Sequence, residues 1–547
     1  MTSALPRLTS FTDYLDLYAR ARPDADAVWH AGTLLSYRAL AEQVDAMAGS
    51  LAAAGLRAGD RVAVLSTPRP EYLVTLLAAF RLGAVWVGLN PKYTYRELAH
   101  VVADSRPRLI LSIARAEGRE FDADIARLAS EFAVEGRYVI GDDGPTPALH
   151  RLPAPVPFVR HPVAPGDAAT IVYTSGSSGT PKGAVLSHRG LVYASVVEAE
   201  MNEVPHPRVP CNLPINHVAC IADLTGTTLA AGGMLALLDS FDPAEILELI
   251  ERLRLTNLMS VPTVLQLIVM QPDFDWRDLS SLRLVAWGGA PLPIEVIRVY
   301  RRLGVQLMTV YGMTETIASI TFTARDASDE VLAETVGHFD PGMQVRLADE
   351  QDRAVAVGEQ GEVQVRHEGL FLEYFGRPDA TAAAYSADGW FKTGDVGVLR
   401  PDGNLRLVGR RSDMIKSGGY NVYPREIELC LESRSDVTLA AVIGRPDEKF
   451  GEVAVAYVVP QPGTRPTRSA SRPSAATIWP TTRCPRTSSS STSCRCCRWA
   501  RWTSRNCAAA HGPERRLRHE QLRHGRDRHH HRRHAAGVRG AVRRVLC

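Results

Sequence analysis

The chain has 547 residues, 45% hydrophobic and 22% charged, the balance of a water-soluble globular protein with room for two or three domains. Charges interrupt every apolar run before the roughly 18 residues a membrane helix needs, and "MTSALPRLTSFTDYLDLYAR" (1–20) has no basic head followed by an apolar segment, so the expectation is a cytoplasmic protein with no membrane span. The net charge of +3 hides two unlike parts: residues 464–547 carry 20 Arg, no Lys and 3 acidic residues, a net +17, which leaves −14 for the rest.

In chain order, Ser36 is placed to cap a helix in which Leu40, Val44, Met47 and Leu51 recur at helical spacing, and Gly55 ends it. "DRVAVLS" (60–66) follows as a short buried strand, and "EYLVTLLAAFRLGAVWVGLN" (71–90) repeats the helix–strand alternation. That alternation predicts an α/β architecture, in which ligands collect at the carboxyl ends of the strands. From about Gly342 the texture changes, and "MQVRLADEQDRAVAVGEQGEVQVRHEG" (343–369) reads as short strands separated by turns. A small α+β domain is expected from Gly409, with strands at "VTLAAVIG" (437–444) and "EVAVAYVVP" (452–460). The boundaries drawn are therefore a large domain over 1–408 and the start of a small one over 409–463.

The stretch richest in chemistry is "IVYTSGSSGTPKGAVLSH" (171–188). A strand gives way to Thr174, Ser175, Gly176, Ser177, Ser178, Gly179 and Thr180, closed by Pro181, Lys182 and Gly183. Glycines let backbone N–H groups approach phosphate oxygens, hydroxyls add donors, and the lysine supplies fixed positive charge. No GK[ST] opens a helix here, so the loop is not of the P-loop type.

The loop resembles the phosphate-binding signature of the adenylate-forming (AMP-binding) superfamily, in its acyl-CoA synthetase type. Further strings match in that family's order: "LPINH" (213–217), "GGAPLP" (288–293), "YGMTE" (311–315), "GWFKTGDVG" (389–397) and "GRRSDMIKSGGYNVYPREIE" (409–428). The resemblance covers roughly residues 10–463. It implies a large adenylate-forming domain of two α/β subdomains plus a β-rich one, followed by a small mobile α+β domain.

The resemblance also implies residue roles. Lys182 and Thr314 would contact phosphate, and Glu315 would hold Mg²⁺, which prefers carboxylate and phosphate oxygens. Gly289, Ala290 and Pro291 would flank the adenine, Tyr311 would stack on it, and Gly312 and Met313 would complete that wall. Asp395 would accept from the ribose hydroxyls with Arg410 beside it. His217, Val218, Gly288 and Gly312 would border the acyl pocket, and Ser417, Gly418, Gly419 and Tyr420 a thiol tunnel. Ser412 stands at the hinge position, where relatives usually carry Asp or Lys.

The implied reaction has two steps. A carboxylate attacks the α-phosphorus of Mg·ATP, giving acyl-adenylate and pyrophosphate; a thiol then displaces AMP. The thiol would be that of CoA or of a carrier protein's phosphopantetheine, and no nucleic-acid partner is implied. Val218 stands where amino-acid-activating relatives place an Asp, so an α-amino acid, whose buried ammonium would lack a partner, is disfavoured. "HVACIADL" (217–224) suggests a mostly apolar pocket for a fatty, alicyclic or aryl acid.

The family should close with a segment resembling "LADYKVP" and then a Pro-x-x-x-x-Gly-Lys motif, whose lysine bridges the substrate carboxylate and the α-phosphate. Neither string is present, and Lys449 is the last lysine. Apart from Ile478 and Asn506, residues 464–507 are all Ala, Pro, Ser, Thr, Arg, Cys or Trp, types whose codons carry G or C at the second position. Shifted by one frame, "TIWPTTRCP" (477–485) can encode His-Leu-Ala-Asp-Tyr-Lys-Val-Pro, and the stretch around "SCRCCRWARW" (493–502) can encode Leu-Pro-Leu-Leu-Pro-Met-Gly-Lys. The reading is a frameshift near Gly463: residues 464–507 are the out-of-frame remainder of the small domain, and 508–547 a basic, disordered tail. Cys494, Cys496 and Cys497 lack the paired CxxC elements of a zinc site.

Overall fold

The computed structural model describes residues 5–141, 144–174, 180–317, 319–432, 434, 436–461 and the backbone of 543–546. Ser175, Gly176, Ser177, Ser178 and Gly179 of the glycine-rich loop, and the segments 464–507 and 508–542, lie outside the described residues. The chain divides into two units: Met1–Thr393 with Gly397–Leu407, and Gly394–Val396 with Val408–Cys547.

The first unit is built on sheets whose central strands are buried aliphatic runs. Its eight-stranded sheet runs in the order Glu373–Tyr374, Lys182–Ser187, Ala168–Thr174, Val85–Leu89, Arg61–Leu65, Leu109–Ser112, Gly136–Val139 and His150–Arg151. From Ala168–Thr174 onward every neighbour is parallel, as expected for strands covered by helices on both faces. The helix Pro70–Arg81 begins with Pro at its first turn and buries every residue from Tyr72 to Arg81, which marks a helix enclosed on all sides. Tyr72 meets the fully buried Trp86 edge-on, with ring centroids 5.7 Å apart.

Other local expectations follow the same physics. The Ser36 hydroxyl accepts from Ala39 N–H and caps Tyr37–Ala53. Thr94 and Glu97 form a reciprocal capping box that opens Tyr95–Ser105. A second sheet orders Asn257–Ser260, Leu284–Gly288 and Gln306–Gly312 as parallel neighbours, then Ser319–Phe322 and His338–Phe339 antiparallel. Beyond Gly342 the β-rich texture becomes a sheet ordered Gln344–Ala348, Gln360–Arg366, Phe391–Leu399, Leu405–Arg410.

The second unit pairs Val437–Asp447 with Gly451–Pro460 in a long antiparallel ladder, and Ile415–Ser417 joins the latter strand. Ile415, Val422, Ile427, Val442, Ala454 and Ala456 are its buried core among the described residues. Helix Pro424–Glu432 is tied to the sheet by Glu428 and Glu432, which accept from Val442 and Ala440 N–H at 2.9 and 3.2 Å. Among the described residues no helix is long and apolar enough to cross a membrane.

Candidate active site

Both ends of the glycine-rich loop are anchored by one helix. Thr174 ends its strand directly opposite Lys182, which starts the return strand. Tyr173 donates its hydroxyl to Asp104 at 2.8 Å, and the His100 Nε2 lies 2.9 Å from the Pro181 carbonyl. Asp104 and His100 both belong to Tyr95–Ser105. The loop is thus launched and received at fixed points, although no motif in the sequence marked His100 or Asp104.

The residues expected at the adenine and the phosphates emerge where parallel strands end. Leu284–Gly288 and Gln306–Gly312 are neighbours in register, with Gly288 opposite Val310. Gly288 and Gly289 therefore leave one carboxyl end beside Gly312, Met313, Thr314 and Glu315 at the next, where this architecture collects ligands. Ala290 and Pro291 are exposed, and Tyr311 is buried within its strand. Thr314–Thr316 forms a single 3₁₀ turn ended by Ile317 at φ 59°. A β-branched residue in that conformation is strained, and such strain is concentrated at functional sites.

Glu315 is 4% exposed, and its Oε1 accepts from the Tyr374 hydroxyl at 2.7 Å. The face of the Tyr374 ring meets Lys182, whose Nζ is 4.9 Å from the ring centroid. Burial and the neighbouring Glu315 carboxylate push the Tyr374 phenol well above its ordinary pKa, so it stays protonated and acts as a donor. The sequence reading missed Tyr374, because "FLEYF" (371–375) has the composition of an ordinary core strand.

His217 follows a tight approach of chain to sheet: a Cβ on Gly88 would come within 2.7 Å of the Asn216 Cα. The side-chain amide of Asn216 donates to the Tyr93 hydroxyl at 2.8 Å. His217 Nδ1 accepts from Ala219 N–H at 3.1 Å, which leaves the proton on Nε2. Desolvation lowers the His217 pKa, so the ring is a neutral Nε2–H donor at neutral pH. Val218 is buried, and Ala219–Gly226 forms a π-helix rather than an α-helix, a rare form that is frequent at functional sites.

The second unit gathers the remaining residues. Asp395 is 8% exposed and receives Arg410 Nε at 3.2 Å, so the two residues expected at the ribose are paired. Ser417 faces Tyr420 across the hairpin Ile415–Ser417/Tyr420–Val422. Gly418 and Gly419 take φ 56° and 84°, the double positive-φ turn that only Gly accommodates without strain. Gly418→Ala or Gly419→Ala is expected to cost about 1–2 kcal/mol of this unit's stability, measurable by urea unfolding. Ser412 lies in the exposed turn Arg411–Asp413, with its hydroxyl on Asp413 at 2.9 Å. No cluster of three or more metal-ligating side chains occurs among the described residues.

A family model described as AMP-binding enzyme matches residues 15–375, and one described as AMP-binding enzyme C-terminal domain matches 426–485. A feruloyl-CoA synthase from Amycolatopsis sp is 38% identical over 449 residues, covering 82% of this chain and 88% of that protein. An indoleacetate–CoA ligase from Aromatoleum aromaticum is 34% identical over 459 residues, covering 83% and 88%. The crystal structure of ATP-bound MatB from Rhodopseudomonas palustris aligns with a TM-score of 0.74 at 31% identity, over 83% of this chain and 90% of that one. The chain belongs to the AMP-binding enzyme family, and it is an acid–thiol ligase that uses ATP to turn a carboxylic acid into an acyl-adenylate and then into its CoA thioester.

Proposed function

We propose that the acid is one with an apolar, aryl-type body and no α-amino group, and that free CoA is its acceptor. The observation that carries this is the stretch from His217 to Leu224: a neutral imidazole donor, then Val218, with Cys220, Ile221, Ala222 and Leu224 packed in the apolar core behind it and Asp223 the one acid among them. An apolar setting of this kind would hold an acid by its carboxylate at His217 and favour an apolar remainder at roughly 25 cal/mol per Å² of surface buried. Val218 offers no charge to an α-ammonium group, so an amino acid would leave an unpaired cation there. The names of the feruloyl- and indoleacetate-activating relatives support the aryl class. ATP and CoA are drawn from the cytoplasm, where we place the enzyme.

In this reading the His217 Nε2–H orients the carboxylate, and Thr314 donates to a phosphate oxygen. Lys182, at the return end of the glycine-rich loop, holds phosphate. Asp395 accepts from the ribose hydroxyls, with Arg410 fixing its carboxylate. Glu315 fits a hard divalent cation: it is a buried carboxylate with one oxygen held by a neutral phenol, and Mg²⁺ takes such oxygens together with substrate phosphates. When bound, the cation would neutralise charge on the departing pyrophosphate. Positioning and charge neutralisation are the main catalytic terms for such transfer. Thiol attack on the acyl carbonyl then expels AMP, with Ser417, Gly418, Gly419 and Tyr420 lining the approach.

The test is a panel of aryl-alkenoic, aryl-acetic, fatty and amino acids, followed by pyrophosphate release and by acyl-CoA formation. Aryl acids with free CoA and no added protein are expected to give thioester. Turnover confined to amino acids, or a need for a carrier protein, would overturn the reading.

A further inference from the structure

Segment 371–375 joins parts of the first unit that are remote in sequence. Phe371 N–H donates to the Glu315 carbonyl at 2.8 Å, while Leu372 and Phe375 N–H donate to Val185 and Gly183 at 2.8 and 2.7 Å. Glu373–Tyr374 thereby pairs with the strand that Lys182 begins, Ala184 lying opposite Tyr374. The Tyr374 N–H donates to the Thr381 hydroxyl at 2.9 Å. The ring is 8% exposed and packs against Phe371 at 4.8 Å between centroids, with Tyr385 and Phe391 behind. Backbone and ring are both held, so the hydroxyl has one place to go: Glu315 Oε1.

This phenol stands between two groups of opposite charge. Its hydroxyl engages the carboxylate and its π-face attracts the ammonium. Lys182 and Glu315 form no direct ion pair among the described residues. Were they to pair, the carboxylate would be neutralised and the lysine withdrawn from phosphate, in surroundings where a buried ion pair is hard to separate. A neutral donor satisfies one carboxylate oxygen without cancelling its charge.

We propose that Tyr374 is a positioning residue that keeps Lys182 and Glu315 apart and orients the Glu315 carboxylate toward the cation that accompanies ATP. The proposal rests on the reading of Glu315 as the cation's carboxylate and Lys182 as a phosphate contact. Groups that orient a metal's carboxylate typically change metal affinity by about 10–100-fold when removed, so loss of this bond is expected to weaken cation binding by roughly tenfold or more.

The experiment uses the full chain with Mn²⁺ as the probe, titrated by electron paramagnetic resonance in the presence of a non-hydrolysable ATP analogue. Tyr374→Phe keeps the ring and its packing and removes only the hydroxyl. It is expected to weaken Mn²⁺ binding about tenfold and to raise the Mg²⁺ concentration for half-maximal pyrophosphate release by a similar factor, with KM for the acid unchanged. Tyr374→Leu, which also removes the π-face, is expected to raise KM for ATP in addition. Unchanged Mn²⁺ affinity in Tyr374→Phe overturns the proposal, as does a uniform loss in every parameter. Glu315→Gln separates the two readings: if it leaves Mn²⁺ affinity intact, the assignment of Glu315 is at fault; if it weakens binding while Tyr374→Phe does not, the role of Tyr374 alone is wrong.

Discussion

A chain carrying the proposed one-base shift of frame after Gly463, so that it continues through Leu-Pro-Leu-Leu-Pro-Met-Gly-Lys, is expected to exceed the present chain in ATP–pyrophosphate exchange by about 10²–10³-fold. The chain as written has no lysine beyond Lys449, so the charge that family members place between the substrate carboxylate and the α-phosphate is missing. Removing one preorganised partner of transition-state charge costs about 3–4 kcal/mol, which is this factor. Lysine-to-alanine replacement in the shifted chain should return exchange to the level of the written one. Thioester formation from chemically prepared acyl-adenylate should change far less, since that step needs no phosphate bond to form. Full exchange by the written chain would refute the account. Intact mass and C-terminal peptides from the native source would show independently which frame is translated.

Asp223→Asn is expected to stabilise the first unit by about 2–4 kcal/mol at pH 8 and by little at pH 4, as read by urea unfolding. Asp223 sits in the π-helix Ala219–Gly226, and its Oδ1 is shut off from water without a hydrogen-bond partner. Desolvation raises its carboxyl to about 7. Glu198, 1% exposed in the helix His188–Asn202, is raised too, by burial and by the nearby Asp223. Its two oxygens accept from Ser319 at 2.9 Å and Thr227 at 3.4 Å.

The sign follows from the direction of the shift. In the unfolded chain Asp223 loses its proton near the ordinary carboxyl value of 3.8, whereas in the folded one it holds it to about 7. Folding therefore binds a proton between these values, and stability falls as pH rises through that window, then levels off. Asparagine keeps the shape and removes the titration, so its benefit grows over the same window. A loss of stability at pH 8 would show instead that Asp223 is charged and paired there.

Much of the α/β framework was legible because it rests on short-range rules. Ser36 caps where a hydroxyl before an apolar period should, and the aliphatic runs at 61–65 and 85–89 lie in a parallel sheet that buries them. Gly418 and Gly419, read from the sequence only as part of a thiol tunnel, both take positive φ. The π-helix was not legible, since "ACIADLTG" (219–226) has the same apolar content whether its backbone closes on i+4 or i+5. Nor could periodicity find Asp223 and Glu198 as a pair, because they stand on different helices.

The sequence by itself determined the family and its ligase chemistry, because strings resembling that family's motifs appear in the family's order from 171–188 to 409–428. It also carries the case for a shifted frame, which lives in codon degeneracy and has no counterpart in coordinates. Only the tertiary structure decided that Tyr374 stands between Lys182 and Glu315, that His100 and Asp104 anchor the loop, and that His217 presents Nε2–H. The physical reason is common to all three. Each depends on pairing between segments far apart in the chain or on which nitrogen meets a backbone N–H, and neither leaves a period or a spacing for a sequence to show.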